Sequence, residues 1–250
     1  MPPQHDEWIA ALAILPARAS FAALLLAAAP LAAEAQPSAR DEASPMLSAE
    51  ERAAGWRLLF DGRSLDGWRS LDDPTPPPGW KAEGGELVRD GDGGDLLTAE
   101  QFGDFELRLE WRLAEGGNSG ILFRVTPDTG ETWQSGPEMQ VLDNAGHPDG
   151  RNPLTSAGAN YALHAPSRDA TRPVGEWNEV RLLVQGARIA HWLNGVKVVE
   201  YELGSADWEA RVAASKFARL PAYGRARRGH IALQDHGDFV AYRNIKIRPL

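Results

Sequence analysis

The stretch Gly136-Pro137-Glu138-Met139-Gln140-Val141-Leu142-Asp143-Asn144 carries the most informative polar residues of the chain. In an extended segment side chains alternate, so Glu138, Gln140 and Leu142 share one face while Met139 and Val141 take the other. The apolar pair suits a core. A carboxylate and an amide then project from the opposite face, where their donors and acceptors match the hydroxyls of a sugar. Arg124 interrupts the apolar run Ile121 to Val125 and shares a face with Leu122. The pattern predicts a carboxylate partner for it, with Glu138 as the candidate; a purely architectural ion pair is the other reading. The polar loop Asp143-Asn144-Ala145-Gly146-His147-Pro148-Asp149 offers oxygen ligands and an imidazole, enough to hold a divalent metal ion, although the same residues make ordinary turns. Further on, His230, Gln234 and His236 share one face of an extended stretch, Ile231 and Leu233 the other, and Asp235 points away unless the chain turns.

Several chemistries are excluded. The chain has no cysteine, which removes disulfides, thiolate metal sites, a cysteine nucleophile and a lipid-accepting cysteine. No zinc-protease helix motif, phosphate loop or dinucleotide fingerprint occurs; Gly116, Gly117 and Gly120 have the spacing of a tight turn that opens a strand. Ser119 lacks the nucleophile-elbow pattern. Glu138-Met139-Gln140-Val141-Leu142 lacks a second carboxylate on the same strand face, so the strand does not support a two-carboxylate glycosidase. The formal net charge of -9 gives no reason to seek nucleic acid or an anionic membrane. The one dense basic run, Arg225, Arg227 and Arg228, reads as a solvated loop.

The elements that must position these residues are mostly strands. Phe105, Leu107, Leu109, Trp111 and Leu113 alternate with Glu106, Arg108, Glu110 and Arg112, a strand with one buried and one wet face. Further strands are read at Ile121 to Val125, Met139 to Leu142, Val180 to Val184, Ile231 to Leu233, Phe239 to Tyr242 and Ile245 to Ile247. Asn194-Gly195 between Ile189–Leu193 and Val196–Tyr201 predicts a tight hairpin, because both residues tolerate positive φ. Ser48-Ala49-Glu50-Glu51 caps a short helix, and Trp208 to Phe217 forms a surface helix or an irregular loop. The fold class is all-β, an antiparallel β-sandwich or jelly roll with one or two short surface helices. Residues 1–35 read as a secretory signal: Arg18 precedes an Ala/Leu run from Phe21 to Ala33, and Ala33-Glu34-Ala35 supplies the small residues of a cleavage site. The apolar run is short and is broken by Pro30, so no stable membrane anchor is expected. Residues 36–46 are a disordered lead-in, and residues 47–250 form one domain.

The motifs GWRLLFDGRSLDGW (Gly55 to Trp68), NSGILFR (Asn118 to Arg124), EMQVLDNAGHPD (Glu138 to Asp149), SAGANYALHAPS (Ser156 to Ser167) and GHIALQDHGDFVAYRNIKIRPL (Gly229 to Leu250), in this order, resemble the 3-keto-disaccharide hydrolase family. The resemblance runs from Gly55 to Leu250. It implies a concanavalin-like jelly roll in a periplasmic or secreted protein, and a small-molecule substrate, a glycoside already oxidised at C3. A C3 ketone acidifies the C2 proton. A base removes it, the enolate expels the C1 aglycone, and water adds back or the enone leaves. Such a site needs a base near C2 and a donor or metal at the C3 oxygen. Glu138 or His147 could be the base; Arg124, Lys216 or a bound cation could stabilise the enolate. Gln140, Asp143, Tyr161, Gln234 and His236 could hold sugar hydroxyls. The alternatives are a non-catalytic carbohydrate-binding module and a conventional glycosidase.

Overall fold

The computed structural model describes residues 45–250. The signal expected over residues 1–35 and nearly all of the lead-in lie outside the described residues. The described chain opens with helix α1 (Ala49–Ala53), capped as its sequence predicts: the Ser48 hydroxyl accepts the Glu51 N–H and the Glu51 carboxylate accepts the Ser48 N–H. Eleven strands follow: β1 (Arg57–Leu58), β2 (Trp68–Arg69), β3 (Trp80–Glu83), β4 (Glu86–Arg89), β5 (Leu96–Thr98), β6 (Phe105–Leu113), β7 (Asn118–Val125), β8 (Glu138–Leu142), β9 (Asn178–Gln185), β10 (Arg188–Leu193) and β11 (Val196–Glu202). Helix α2 (Ala206–Ala213), β12 (His230–Leu233) and β13 (Val240–Pro249) complete the chain.

Two antiparallel sheets result. The larger has eight strands in the order β11-β10-β9-β6-β13-β4-β3, with β1 also paired to β13; the smaller has five in the order β2-β5-β12-β7-β8. The alternation read in β6 sends Phe105, Leu107, Leu109, Trp111 and Leu113 into the space between the sheets. There they meet Ile121, Phe123, Met139, Val141, Ile231 and Leu233 from the smaller sheet in one buried cluster. Each such side chain contributes about 1.5–3 kcal/mol on burial, which fixes the register, because a one-residue slip would turn all of them to solvent. Asn194 (φ 49°) and Gly195 (φ 79°) make the expected hairpin between β10 and β11.

Three local readings change. The two C-terminal strands expected from sequence are one strand, β13, bent by a bulge between Arg243 and Lys246 where Asn244 has φ 53°. The segment Trp208 to Phe217 divides into α2 and a short 3₁₀ turn at Lys216–Arg219, and Trp208 is fully buried. The third concerns Arg124. It takes φ 52°, and the pairing of β12 with β7 slips from His230↔Val125 to Ala232↔Leu122. This bulge breaks the simple alternation. Leu122 and Val125 now share the outer face with Leu97 and Ala232, and these four form a small apolar floor covered by Leu71 and Trp133.

Candidate active site

That outer face of the smaller sheet carries a cleft of about 290 Å³ lined by Glu138, Gln140, Tyr161, Lys216, Gln234 and His236. Six of the nine side chains read as site residues therefore converge, from β8, from the turn after β12 and from two loops. Tyr161 is placed by backbone pairing: residues 158–161 run along the free edge of β8, with Gly158 N–H to Gln140 O at 2.8 Å and Tyr161 N–H to Glu138 O at 3.0 Å. Lys216 is held on the aromatic faces of Tyr161 (4.3 Å), Phe217 (5.2 Å) and Trp133 (5.5 Å). Gln140 is a wall residue whose amide serves the backbone: it donates to Thr155 O at 3.2 Å and accepts the Val141 N–H at 3.2 Å.

Three expected site residues stand elsewhere. Arg124 does not meet Glu138. The guanidinium reaches instead the turn before β6, where it donates to Gly103 O at 3.2 Å and pairs with Asp104 at 3.0 Å. Asp143 lies outside the cleft wall because its carboxylate is taken by the backbone, accepting from Gly116 N (2.8 Å) and Ala145 N (3.1 Å). His147 lies outside the cleft wall, its ring 6.1 Å from that of the cleft residue His236. Its Nδ1 accepts the Asp149 N–H at 3.1 Å, and its Nε2 lies 3.5 Å from the Asn118 amide nitrogen. The same contacts bear on the metal reading: Asp143 and His147 turn onto backbone groups and Asp149 onto the Tyr161 hydroxyl, and among the described residues no three His, Asp or Glu side chains converge as a metal cage. His230 also leaves the face it was expected to share with Gln234; its Nδ1 lies 2.7 Å from Thr98 O.

The sequence reading missed Asp95, Asn118, Glu131, Trp133 and Asp235, all in the cleft wall. Asp95 had a signal, an acidic residue set between Gly93-Gly94 and the apolar Leu96-Leu97. Asp235 faces the cleft because the chain turns after Leu233. It pairs with Arg89 at 2.6 Å and accepts the Gly94 N–H at 2.9 Å. Its own N–H donates to Asp95 at 2.8 Å.

Electrostatically the cleft is acidic, with Asp95, Glu131, Glu138 and Asp235 set against the single cation Lys216. Burial pushes Glu138 up from 4.5 to about 8; Lys216 opposes the shift, and Asp95 and Asp149 add to it. Nothing among the described residues hydrogen-bonds to this carboxyl. Gly120 beneath it is the room it needs, since a Cβ there would lie 2.4 Å from Glu138 Oε1. Burial also raises Asp95, against hydrogen bonds from Thr132 and the Asp235 N–H. Asp235 goes the other way: burial raises it, but the N–H groups of Gly237 and Gly94 and then Arg89 outweigh burial and hold it low. Partial burial lowers Lys216. Burial and the neighbouring Asp149, whose carboxylate accepts the phenol proton at 3.3 Å, push Tyr161 up to about 12.

Residues 55–248 match the family described as a 3-keto-alpha-glucoside-1,2-lyase-like domain. A 3-keto-disaccharide hydrolase of Bacteroides thetaiotaomicron is 35% identical over 231 residues, 79% of this chain and 79% of that one. Among solved structures, a candidate glycosyl hydrolase of Parabacteroides distasonis aligns with a TM-score of 0.78 at 32% identity, covering 83% of this chain and 99% of its own. A second from that organism aligns with a TM-score of 0.63 at 28% identity, over 78% and 99%. Two antiparallel sheets, an acidic cleft on the outer face of the smaller one and this extent of likeness lead to one assignment: the chain belongs to the 3-keto-disaccharide hydrolase family, whose shared unit is the 3-keto-alpha-glucoside-1,2-lyase-like domain.

Proposed function

We propose that this glycoside-cleaving enzyme acts on glycosides already oxidised at C3, with Glu138 removing the C2 proton and the resulting enolate expelling the C1 aglycone. The observation that carries the reading is a buried glutamate, free of any arginine, in a cleft whose one cation is Lys216. A carboxylate that titrates near 8 is a much stronger base than an ordinary one near 4.5, and it is still partly ionised at neutral pH. Proton removal next to a ketone places negative charge on the C3 oxygen. Lys216, fixed among three rings, is the group suited to meet that charge. Tyr161, Gln234 and His236 offer hydrogen bonds to the ring hydroxyls. Export follows from the sequence of residues 1–35, and N-terminal sequencing of protein recovered outside the cytoplasm should begin near Gln36.

Matched pairs of 3-keto and unoxidised glycosides test the reading. The oxidised member should be cleaved and its partner left intact. Deuterium at C2 should slow the reaction and be lost to solvent. One observation favours a second reading, direct displacement at C1: Asp95 supplies the further carboxylate that the β8 strand lacks. That route would cleave unoxidised substrate and keep every C2 deuterium.

A further inference from the structure

We infer that Asp95 is the second catalytic group of the cleft, donating a proton to the departing C1 oxygen and afterwards activating the water that adds to C1. The inference rests on the C2-deprotonation reading above, and it names the group that decides whether the outcome is hydrolysis or elimination.

The geometry singles out Asp95 among the acids of the cleft. It sits at the entrance of β5, while Glu138 lies on β8, with β12 and β7 between them, so the two carboxyls approach the cleft from different sides. Asp235 is committed to Arg89 at 2.6 Å and stays ionised, and Glu131 is exposed at the rim. Asp95 alone combines burial with a partner that suits both of its protonation states. Its Oδ2 is hydrogen-bonded to the Thr132 hydroxyl, which accepts from a carboxylic acid and donates to a carboxylate. Its Oδ1 is pinned by the Asp235 N–H at 2.8 Å. Burial shifts Asp95 toward its protonated form, against the hydrogen bonds from Thr132 and the Asp235 N–H.

The steps balance. Glu138 takes the C2 proton, and the C2–H electron pair forms the enolate. The enolate collapses to the C1–C2 alkene of an enone as the C1–O bond breaks with its electron pair. Asp95 protonates that oxygen, releasing the aglycone as an alcohol. The site now holds Glu138 as acid and Asp95 as carboxylate. Water adds to C1 of the enone while Asp95 accepts its proton, and Glu138 returns a proton to C2. Both groups are restored, and the sum is hydrolysis without an external reductant or oxidant. Without the Asp95 steps, elimination of a good leaving group survives and the enone is released.

The test compares Asp95→Asn with the unaltered protein on 3-keto glucosides that differ only in the aglycone, 4-nitrophenol or a second sugar. A 4-nitrophenolate leaves without protonation, so kcat/KM should fall less than about 10-fold there, against roughly 10²-fold or more for the sugar aglycone. The variant should also release enone where the unaltered protein releases the hydrated 3-keto sugar. In the unaltered protein, the sugar aglycone should show an alkaline loss of kcat that the nitrophenyl substrate lacks, a readout independent of how the variant folds. An equal loss on both aglycones with no change of product, or no difference between the two pH profiles, would overturn the role of Asp95 while leaving Glu138 as base. An unaltered protein inactive on every 3-keto substrate would overturn the underlying reading.

Discussion

Glu106 and Glu138 are almost equally buried, at 2% and 6% exposure, and they behave in opposite ways. Glu106 lies on the outer face of the larger sheet, where Arg108, Arg181 and Arg248 each reach its carboxylate at 2.8 Å. Burial raises its pKa, but the arginines outweigh burial and hold it below the ordinary value. The same face repeats the device: Glu110 pairs with Arg243 at 2.6 Å and Glu86 with Arg112 at 2.7 Å, and Arg248 and Arg243 also stack over Trp56 and Trp177. On the outer face of the smaller sheet no arginine among the described residues reaches Glu138, and burial pushes the carboxyl up to about 8. The larger sheet turns its carboxylates into fixed struts. The smaller one leaves a carboxyl free to gain and lose a proton, which is what an acid–base catalyst requires.

The comparison can be broken at either sheet. The largest effect should come from Glu138→Gln, with kcat/KM on a 3-keto glycoside falling about 10²–10⁴-fold while substrate still binds. In the unaltered protein kcat/KM on a 4-nitrophenyl 3-keto glucoside should rise with pH and level off above about pH 8, and the variant should lose that limb. Gly120→Ala sharpens the point by moving the base without removing it. The new Cβ would collide with Glu138 Oε1 at 2.4 Å, and displacing the carboxylate should cost up to about 10²-fold in kcat with the fold intact. At the other sheet Glu106→Gln leaves three guanidinium groups without their common partner. Because the arginines are partly solvated, a loss of about 2 kcal/mol in unfolding free energy is expected, measured by denaturant titration, with activity per folded molecule unchanged.

The last effect is a pH-dependent one. Glu138 has a folded-state pKa above its unfolded value, so its contribution to stability is complete below about pH 4.5 and is lost as pH rises through 8. Glu138→Gln should therefore match the unaltered protein in Tm at pH 4 and exceed it by about 10 °C at pH 9. Glu106 has a lowered pKa and should show the reverse sign, its contribution being lost as the solution is acidified.

Much of the architecture was legible because the longer strands alternate strictly. β6 and β8 each declare an inner and an outer face, and Asn194-Gly195 declares its hairpin. Glu138 and Gln140 followed from that alternation. Arg124 did not, because positive φ at an arginine has no local signature, and one bulge reverses the face of everything after it. Asp143 and His147 were the right chemical types in a polar loop, but they accept from backbone N–H groups, of Gly116 and Ala145 for Asp143 and of Asp149 for His147. Asp95, Trp133 and Asp235 were hidden for a different reason. They come from segments far apart in sequence that meet only through the order β5-β12-β7. The strands β1 to β5 are also too short to show a period.

That strand order also governs how the molecule can be assembled in time. β13 lies between β6 and β4, and β12 between β5 and β7. Both sheets are thus joined across their middles by the two strands latest in the sequence, His230–Leu233 and Val240–Pro249. A chain emerging from the ribosome N-terminus first has each sheet in two separate pieces, with unpaired inner edges, until these strands arrive. Folding must wait for the whole polypeptide. A nascent chain cut short before His230 would be a client for chaperones and proteases, with no stable partial domain to protect it.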